Sequence, residues 1–211
     1  MDIVTLTVSL FATNCYLVYD RDAGDGIIID PGDETDRIVA EIEQCGFRPQ
    51  SILLTHGHGD HIGAVEDIRD KYRIPFVAGR GAERVIKSSN KNFFAMFGMP
   101  VSCPMPDRLL ADGETVPVGK ASLTVIETPG HSPDGICFLW GDVLFCGDTL
   151  FSGSVGRTDL PGANHDQLIH SIMQRLLVLP DTTICHPGHG PSTTIRQERE
   201  HNPFLIGSYL D

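Results

Sequence analysis

Apolar positions along the chain switch between two periods, and the switches mark out its elements. Ile3 to Leu10, Cys15 to Tyr19 and Gly26 to Ile29 are short strand-like runs separated by turn residues, among them Ala23-Gly24-Asp25-Gly26. Such close spacing predicts an antiparallel meander. Asp30-Pro31-Gly32 stops the third run. From Glu34 to Cys45 the residues Ile38, Val39, Ile42 and Cys45 follow a helical period, and Gly46 supplies a stop. A strand at Ser51 to Leu54 comes next, then a helix from Ile62 to about Tyr72 with Ala64, Val65 and Ile68 inward. A strand at Arg73 to Ala78 and a helical stretch at Gly81 to Lys87 complete this half.

Segment 88–106 breaks the pattern. Phe93, Phe94, Met96, Phe97 and Met99 form an apolar cluster closed by Pro100, Pro104 and Pro106, which fits either a connector packed on the core or a flap over a site. Beyond it, strands are predicted at Thr115 to Val118, Ala121 to Thr128, Gly135 to Trp140 and Val143 to Cys146, with Gly119-Lys120 and Gly141-Asp142 as tight turns. Asn164 to Leu177 is helical, with Leu168, Ile172, Met173, Leu176 and Leu177 on one face. Thr182 to Cys185 is a strand, and Thr193 to Glu200 a charged, exposed last helix. Strands followed by helices, twice over, predict two packed sheets with helices outside both, a four-layer αββα sandwich of the α/β class. No linker rich in Gly, Pro or Ser divides the chain, so residues 1–211 are expected to form one domain.

Composition narrows the function. Hydrophobic residues at 41% and charged residues at 21% argue against disorder or a fibrous class. Sixteen basic against 28 acidic residues give a formal charge of -12, which speaks against a nucleic-acid partner. No run approaches the ~18 apolar residues that span a bilayer, so no membrane partner is expected. Met1 to Val8 reads as a first strand rather than a basic leader, and the six cysteines include no CxxC pair. A cytoplasmic protein with reduced core thiols is the expectation.

Candidate chemistry concentrates in Thr55-His56-Gly57-His58-Gly59-Asp60-His61, where a strand ends and a helix begins. Neutral imidazole and carboxylate suit Zn, Fe or Mn, and alternate positions let His56 and His58 point one way. Three further polar residues occupy the same kind of address, each just after a strand and flanked by Gly or Pro: His131, Asp148 and His189. Singly, each also fits an exposed loop histidine or an Asx turn. Together with the opening run they point to one loop-built metal site. His186 competes with His189 in the same turn, whereas His165, His170 and His201 have no partner at ligand spacing.

In this order, His-x-His-x-Asp-His, Pro-Gly-His131, Gly-Asp148 and Pro-Gly-His189 resemble the metallo-β-lactamase superfamily, and within it the small hydrolases similar to glyoxalase II (hydroxyacylglutathione hydrolase). Asn14-Cys15-Tyr16-Leu17-Val18, Ile29-Asp30-Pro31-Gly32, Gly156-Arg157-Thr158-Asp159 and His201-Asn202-Pro203-Phe204 extend the resemblance over nearly the whole chain. It implies two divalent metal ions, zinc first with Fe or Mn also accommodated. His56, His58 and His131 would hold one ion, Asp60, His61 and His189 the other, and Asp148 would bridge them. Asp30 would support the metal loops from behind.

That centre implies hydrolysis of a small-molecule thioester such as S-lactoylglutathione by a hydroxide bridging the two metals, with Asp60 orienting it as the catalytic residue. Arg157 is the basic residue placed to meet a substrate carboxylate, with pairing to Asp159 as its bland alternative. Gly190-Pro191 stands where glyoxalase II enzymes carry an aromatic residue, and only about twenty residues follow His189. Two other classes stay open: a mononuclear-iron persulfide dioxygenase and a non-catalytic metal-binding interaction module.

Overall fold

A computed structural model describes residues 1–89 and 101–206. The Phe93–Met99 cluster lies outside them. Six strands form the first sheet in sequential order: β1 (Asp2–Val8), β2 (Thr13–Asp20), β3 (Asp25–Ile29), β4 (Arg48–Leu53), β5 (Phe76–Gly79) and β6 (Arg108–Leu110). The expected meander is present, since β1, β2 and β3 pair antiparallel through short turns. From β3 onward the pairs are parallel because helices intervene. Helix α1 (Thr35–Cys45) joins β3 to β4 and ends where Gly46, at φ 72°, returns its N–H to Ile42 O at 2.9 Å.

The second sheet has the order β14-β13-β10-β9-β8-β7. Its members are β7 (Thr115–Val118), β8 (Ala121–Glu127), β9 (Ile136–Trp140), β10 (Val143–Gly147), β13 (Ile184–Pro187) and β14 (Thr193–Thr194). A small hairpin, β11 (Leu150–Phe151) with β12 (Ser154–Val155), leaves the end of β10.

Strand alternation builds the four layers. On β2, Cys15, Leu17 and Tyr19 face the helices outside the first sheet, while Tyr16 and Val18 face the second sheet. On β10, Val143 and Phe145 meet that inter-sheet core, while Leu144 and Cys146 face the helices beyond. With both faces covered, these strands carry apolar residues on both sides over most of their length. The αββα sandwich read from the sequence is therefore the observed architecture. All six cysteines are free, and five of them are buried. Among the described residues, no helix is long and apolar enough to cross a membrane.

Several expected elements change at their ends, each for a visible reason. The helix expected from Ile62 to Tyr72 is broken into α2 (Gly59–Ile62) and α3 (Val65–Tyr72). At the break, Gly63 N–H and Ala64 N–H donate to Gly32 O and Pro31 O, both at 3.0 Å. Those tertiary bonds replace helical ones. Arg73, expected to open a strand, instead ends α3 with φ 54°, so β5 begins at Phe76. Helix α4 (Ala82–Ser89) follows β5.

The helix expected at Asn164 to Leu177 divides into α5 (His165–Ser171), capped by Asn164 Oδ1, and a π-helical turn at Ile172–Leu176. That wider turn keeps Ile172, Leu176 and Leu177 all buried. Helices α6 (Ile195–His201) and α7 (Pro203–Ile206) end the described chain. Contrary to the expectation of an exposed last helix, α6 buries Ile195 and Glu198. The Glu198 carboxylate accepts hydrogen bonds from Thr193 Oγ1, Asn202 Nδ2 and Gly153 N.

Candidate metal centre

Five strands deliver their C-terminal ends to one edge of the sandwich. Asp30 follows β3, the His56 to His61 run follows β4, His131 follows β8, Asp148 follows β10 and the His189 loop follows β13. Gly147, at φ 48°, turns the chain after β10 where an added Cβ would run into the Thr55 side chain. Only glycine lets the two sheets approach this closely here.

All seven sequence-predicted ligands meet there. His56, His58 and His131 present donor atoms within 4.8 Å of one another, as do Asp60, His61 and His189, and as do His56, His61 and Asp148. One Asp148 oxygen lies 3.5 Å from His61 Nε2, and the other lies 3.5 Å from both His131 Nε2 and His189 Nε2. Asp60 Oδ2 is 3.2 Å from His189 Nε2.

The hydrogen bonds behind the rings decide which nitrogen faces the cluster. Asp30 Oδ2 accepts from His61 Nδ1 at 2.9 Å and from Thr55 Oγ1 at 2.6 Å, while Asp30 Oδ1 accepts from Thr55 N at 2.8 Å. His131 Nδ1 donates to Arg157 O at 2.8 Å and His189 Nδ1 to Phe11 O at 3.0 Å. With its own proton given to Asp30, Thr55 Oγ1 accepts from His56 Nδ1 at 3.2 Å. Four rings therefore turn Nε2 inward, the orientation in which a bound ion would meet Nε2 in place of a proton. His58 differs, approaching His131 Nε2 at 2.9 Å through Nδ1.

Electrostatics separate the rings further. Burial, reinforced by the neighbouring imidazoles, pushes His56 well below its usual range and takes His58 down to about 4. Burial would lower His61 and His189 too. It is outweighed by carboxylates, which hold His61 well above its range and His189 at about 10. Burial alone would raise Asp60 and Asp148, but the facing imidazoles hold both low. The carboxylates thus call for positive charge among them, while His56 and His58 stay neutral lone-pair donors.

The donor set fits divalent metal. His56 Nε2, His61 Nε2 and Asp148 Oδ1 are buried without a hydrogen-bond partner, a loss of about 1–3 kcal/mol each that coordination would reverse. The cluster opens on a cleft of about 870 Å³ walled by apolar residues including Phe11, Phe151, Val155 and Leu160.

Other sequence-predicted residues fall elsewhere. Arg157 lines the cleft, but its guanidinium makes two 2.7 Å bonds to Asp159, which holds that carboxyl at about 2. His186 stacks on Phe145 and bonds Ser192 Oγ at 2.8 Å, apart from the cluster. His165, His170 and His201 are exposed.

Three residues carry roles that sequence reasoning missed. Asn14 Nδ2 donates to Pro187 O and Gly190 O, and Tyr16 O–H donates to Pro187 O at 2.6 Å, tying the His189 loop to the first sheet. Their signal was present: two polar groups inside an otherwise apolar strand need partners. Asp134 is buried between two ligand loops and had no comparable signal.

Comparison with known proteins agrees with this geometry. Residues 8–189 match the family model of the metallo-beta-lactamase superfamily. A hydroxyacylglutathione hydrolase, GloC, of Haemophilus influenzae is 36% identical over 97% of this chain and 98% of its own. The crystal structure of BLEG-1, a B3 metallo-beta-lactamase, is 37% identical and superposes with a TM-score of 0.89 over 98% of this chain and all of its own. TTHA1623, solved in a di-iron-bound form, is 37% identical with a TM-score of 0.86 over 96% of this chain and all of its own.

Proposed function

The chain belongs to the metallo-beta-lactamase superfamily and is a metal-dependent hydrolase; from that premise we propose that it cleaves a thioester, of the S-lactoylglutathione kind, at two divalent ions. His56, His58 and His131 would hold one ion, Asp60, His61 and His189 the other, and Asp148 would serve both. The observation that carries this reading is the set of unpartnered buried atoms, His56 Nε2, His61 Nε2 and Asp148 Oδ1, converging in one cluster under an open cleft. Zinc suits the nitrogen and oxygen donors, and Fe or Mn suits the same donor types; the similar TTHA1623 was solved in a di-iron-bound form. The GloC relative supports the thioester.

When bound, the ions supply Lewis acidity at the scissile carbonyl and a water acidified into the neutral range. Everything else falls to the chain. Asp60, held ionised beside His189, orients the attacking water and takes its proton on a carboxylate oxygen. Phe151, Val155 and Leu160 keep bulk water from the cleft wall.

Substrate anion binding is shared unequally between two arginines. Arg157 must release Asp159 before it meets a carboxylate. Arg84 also lines the cleft and, among the described residues, pairs with no carboxylate. Arg84→Ala is expected to raise KM about tenfold with kcat retained, and Arg157→Ala to raise it less.

Purified protein of measured metal content decides the reading when assayed with S-lactoylglutathione, simpler acyl thioesters, a β-lactam and, following oxygen uptake, a persulfide. Thioester turnover abolished by His58→Ala is the expected result. Metal-loaded protein that turns over only the β-lactam or the persulfide, or none of them, overturns it.

A further inference from the structure

Asp134 is a carboxyl group 2% exposed, with no cation beside it among the described residues. Its Oδ2 accepts from Gly57 N at 2.9 Å, and its Oδ1 accepts a short hydrogen bond from Ser132 Oγ. Gly57 lies between His56 and His58, and Ser132 follows His131. A second bond, Ile136 N to Thr55 O at 2.9 Å, joins the same two loops. Burial pushes Asp134 up to about 6. A buried carboxyl held only by neutral donors is expensive, and this one is spent at the meeting of the two loops that carry His56, His58 and His131.

We infer that Asp134 is a positioning residue that fixes the His56–His58 loop against the His131 loop and thereby sets the affinity of the ion those three histidines hold. It acts through Gly57 and Ser132 and touches neither metal nor substrate. The inference rests on the reading that these histidines hold a metal, and not on the identity of the substrate. It also predicts selectivity, because the hydrogen bonds of the Asp134 carboxylate go to Gly57 and Ser132 and, among the described residues, none goes to Asp60, His61 or His189.

Cobalt(II) binding to the full chain tests this, read by absorption spectroscopy and by chelator competition alongside thermal unfolding. Asp134→Ala should weaken one of two cobalt sites by roughly 10–100-fold and leave the other within twofold. Asp134→Asn should recover most of that loss, since its carbonyl accepts from Gly57 N–H and its amide donates to Ser132 Oγ. Ser132→Ala, which keeps the Gly57 bond, should weaken the same site by a smaller factor and serves if Asp134→Ala does not fold. A merely structural role would lower the melting temperature while leaving both affinities and the cobalt spectrum of the folded protein unchanged. That outcome, or equal weakening of both sites, overturns the inference. Wild-type protein that fails to bind two cobalt ions instead overturns the dinuclear reading, and this inference falls with it.

Discussion

The two halves of the sandwich furnish donors to the same edge in opposite ways. The first half gives His56, His58, Asp60 and His61 from one turn after β4, whereas the second gives His131, Asp148 and His189 from three loops after β8, β10 and β13. Local backbone and the Asp30 carboxylate fix most of the first set, with Asp134 reaching it from the second half at Gly57. The second set depends on sheet register, and β10 and β13 carry Asp148 and His189 side by side through their parallel pairing. A contiguous motif therefore tolerates strand adjustment, while scattered donors move with the sheet.

Replacing the carboxylate shared by both sets should show the greatest effect. Asp148→Ala is expected to reduce thioester turnover on the order of 10³-fold and to lower the content of both ions. Retention of one full equivalent at wild-type affinity would mean that the first-half turn suffices alone.

Asp30→Ala attacks the local support instead. It leaves His61 Nδ1, Thr55 N and Thr55 Oγ1 without their acceptor, and should weaken the His61 site by about 10–100-fold in chelator competition. An unchanged affinity would move the support of the first set elsewhere.

The junction between the halves gives a pH signature. Burial pushes the Asp134 carboxyl up to about 6 in the folded chain, against 3.8 for an unperturbed side chain. Between those values the unfolded chain has lost a proton that the folded chain keeps, so this group's contribution to stability falls as pH rises. The loss totals about 3 kcal/mol and is complete above pH 6. Denaturation of wild type against Asp134→Asn from pH 4 to pH 7 measures it as a shrinking advantage of the wild type. A pH-independent difference would refute it.

The smallest effect tests how the halves are tied. Tyr16→Phe removes one donor to Pro187 O while Asn14 Nδ2 keeps its own bond at 3.1 Å. A stability loss of about 1 kcal/mol is expected, with metal affinity nearly unchanged.

This contrast also explains what the sequence discloses. The first-half motif is readable because its donors are neighbours in the chain. His131, Asp148 and His189 become readable only as a repeated strand-to-loop address. The layers follow from alternation on strands such as β2, whose two faces both report burial. Asp134 is silent because its importance arises from Gly57, far away in the chain. The break after α2 is silent for the same reason, since the acceptors are the Pro31 and Gly32 carbonyls. Two-residue strands such as β11 and β12 are too short to show any period.

His189 is the last donor along the chain, and its loop is clasped by Asn14 and Tyr16 near the beginning. Synthesis runs in one direction, so β2 emerges first and waits with these groups unsatisfied until the His189 loop arrives. With the proposed ligand set, ion capture at full strength would therefore be a late event in the life of each new chain, and a nascent polypeptide halted before β13 would offer at most a partial, leaky nest.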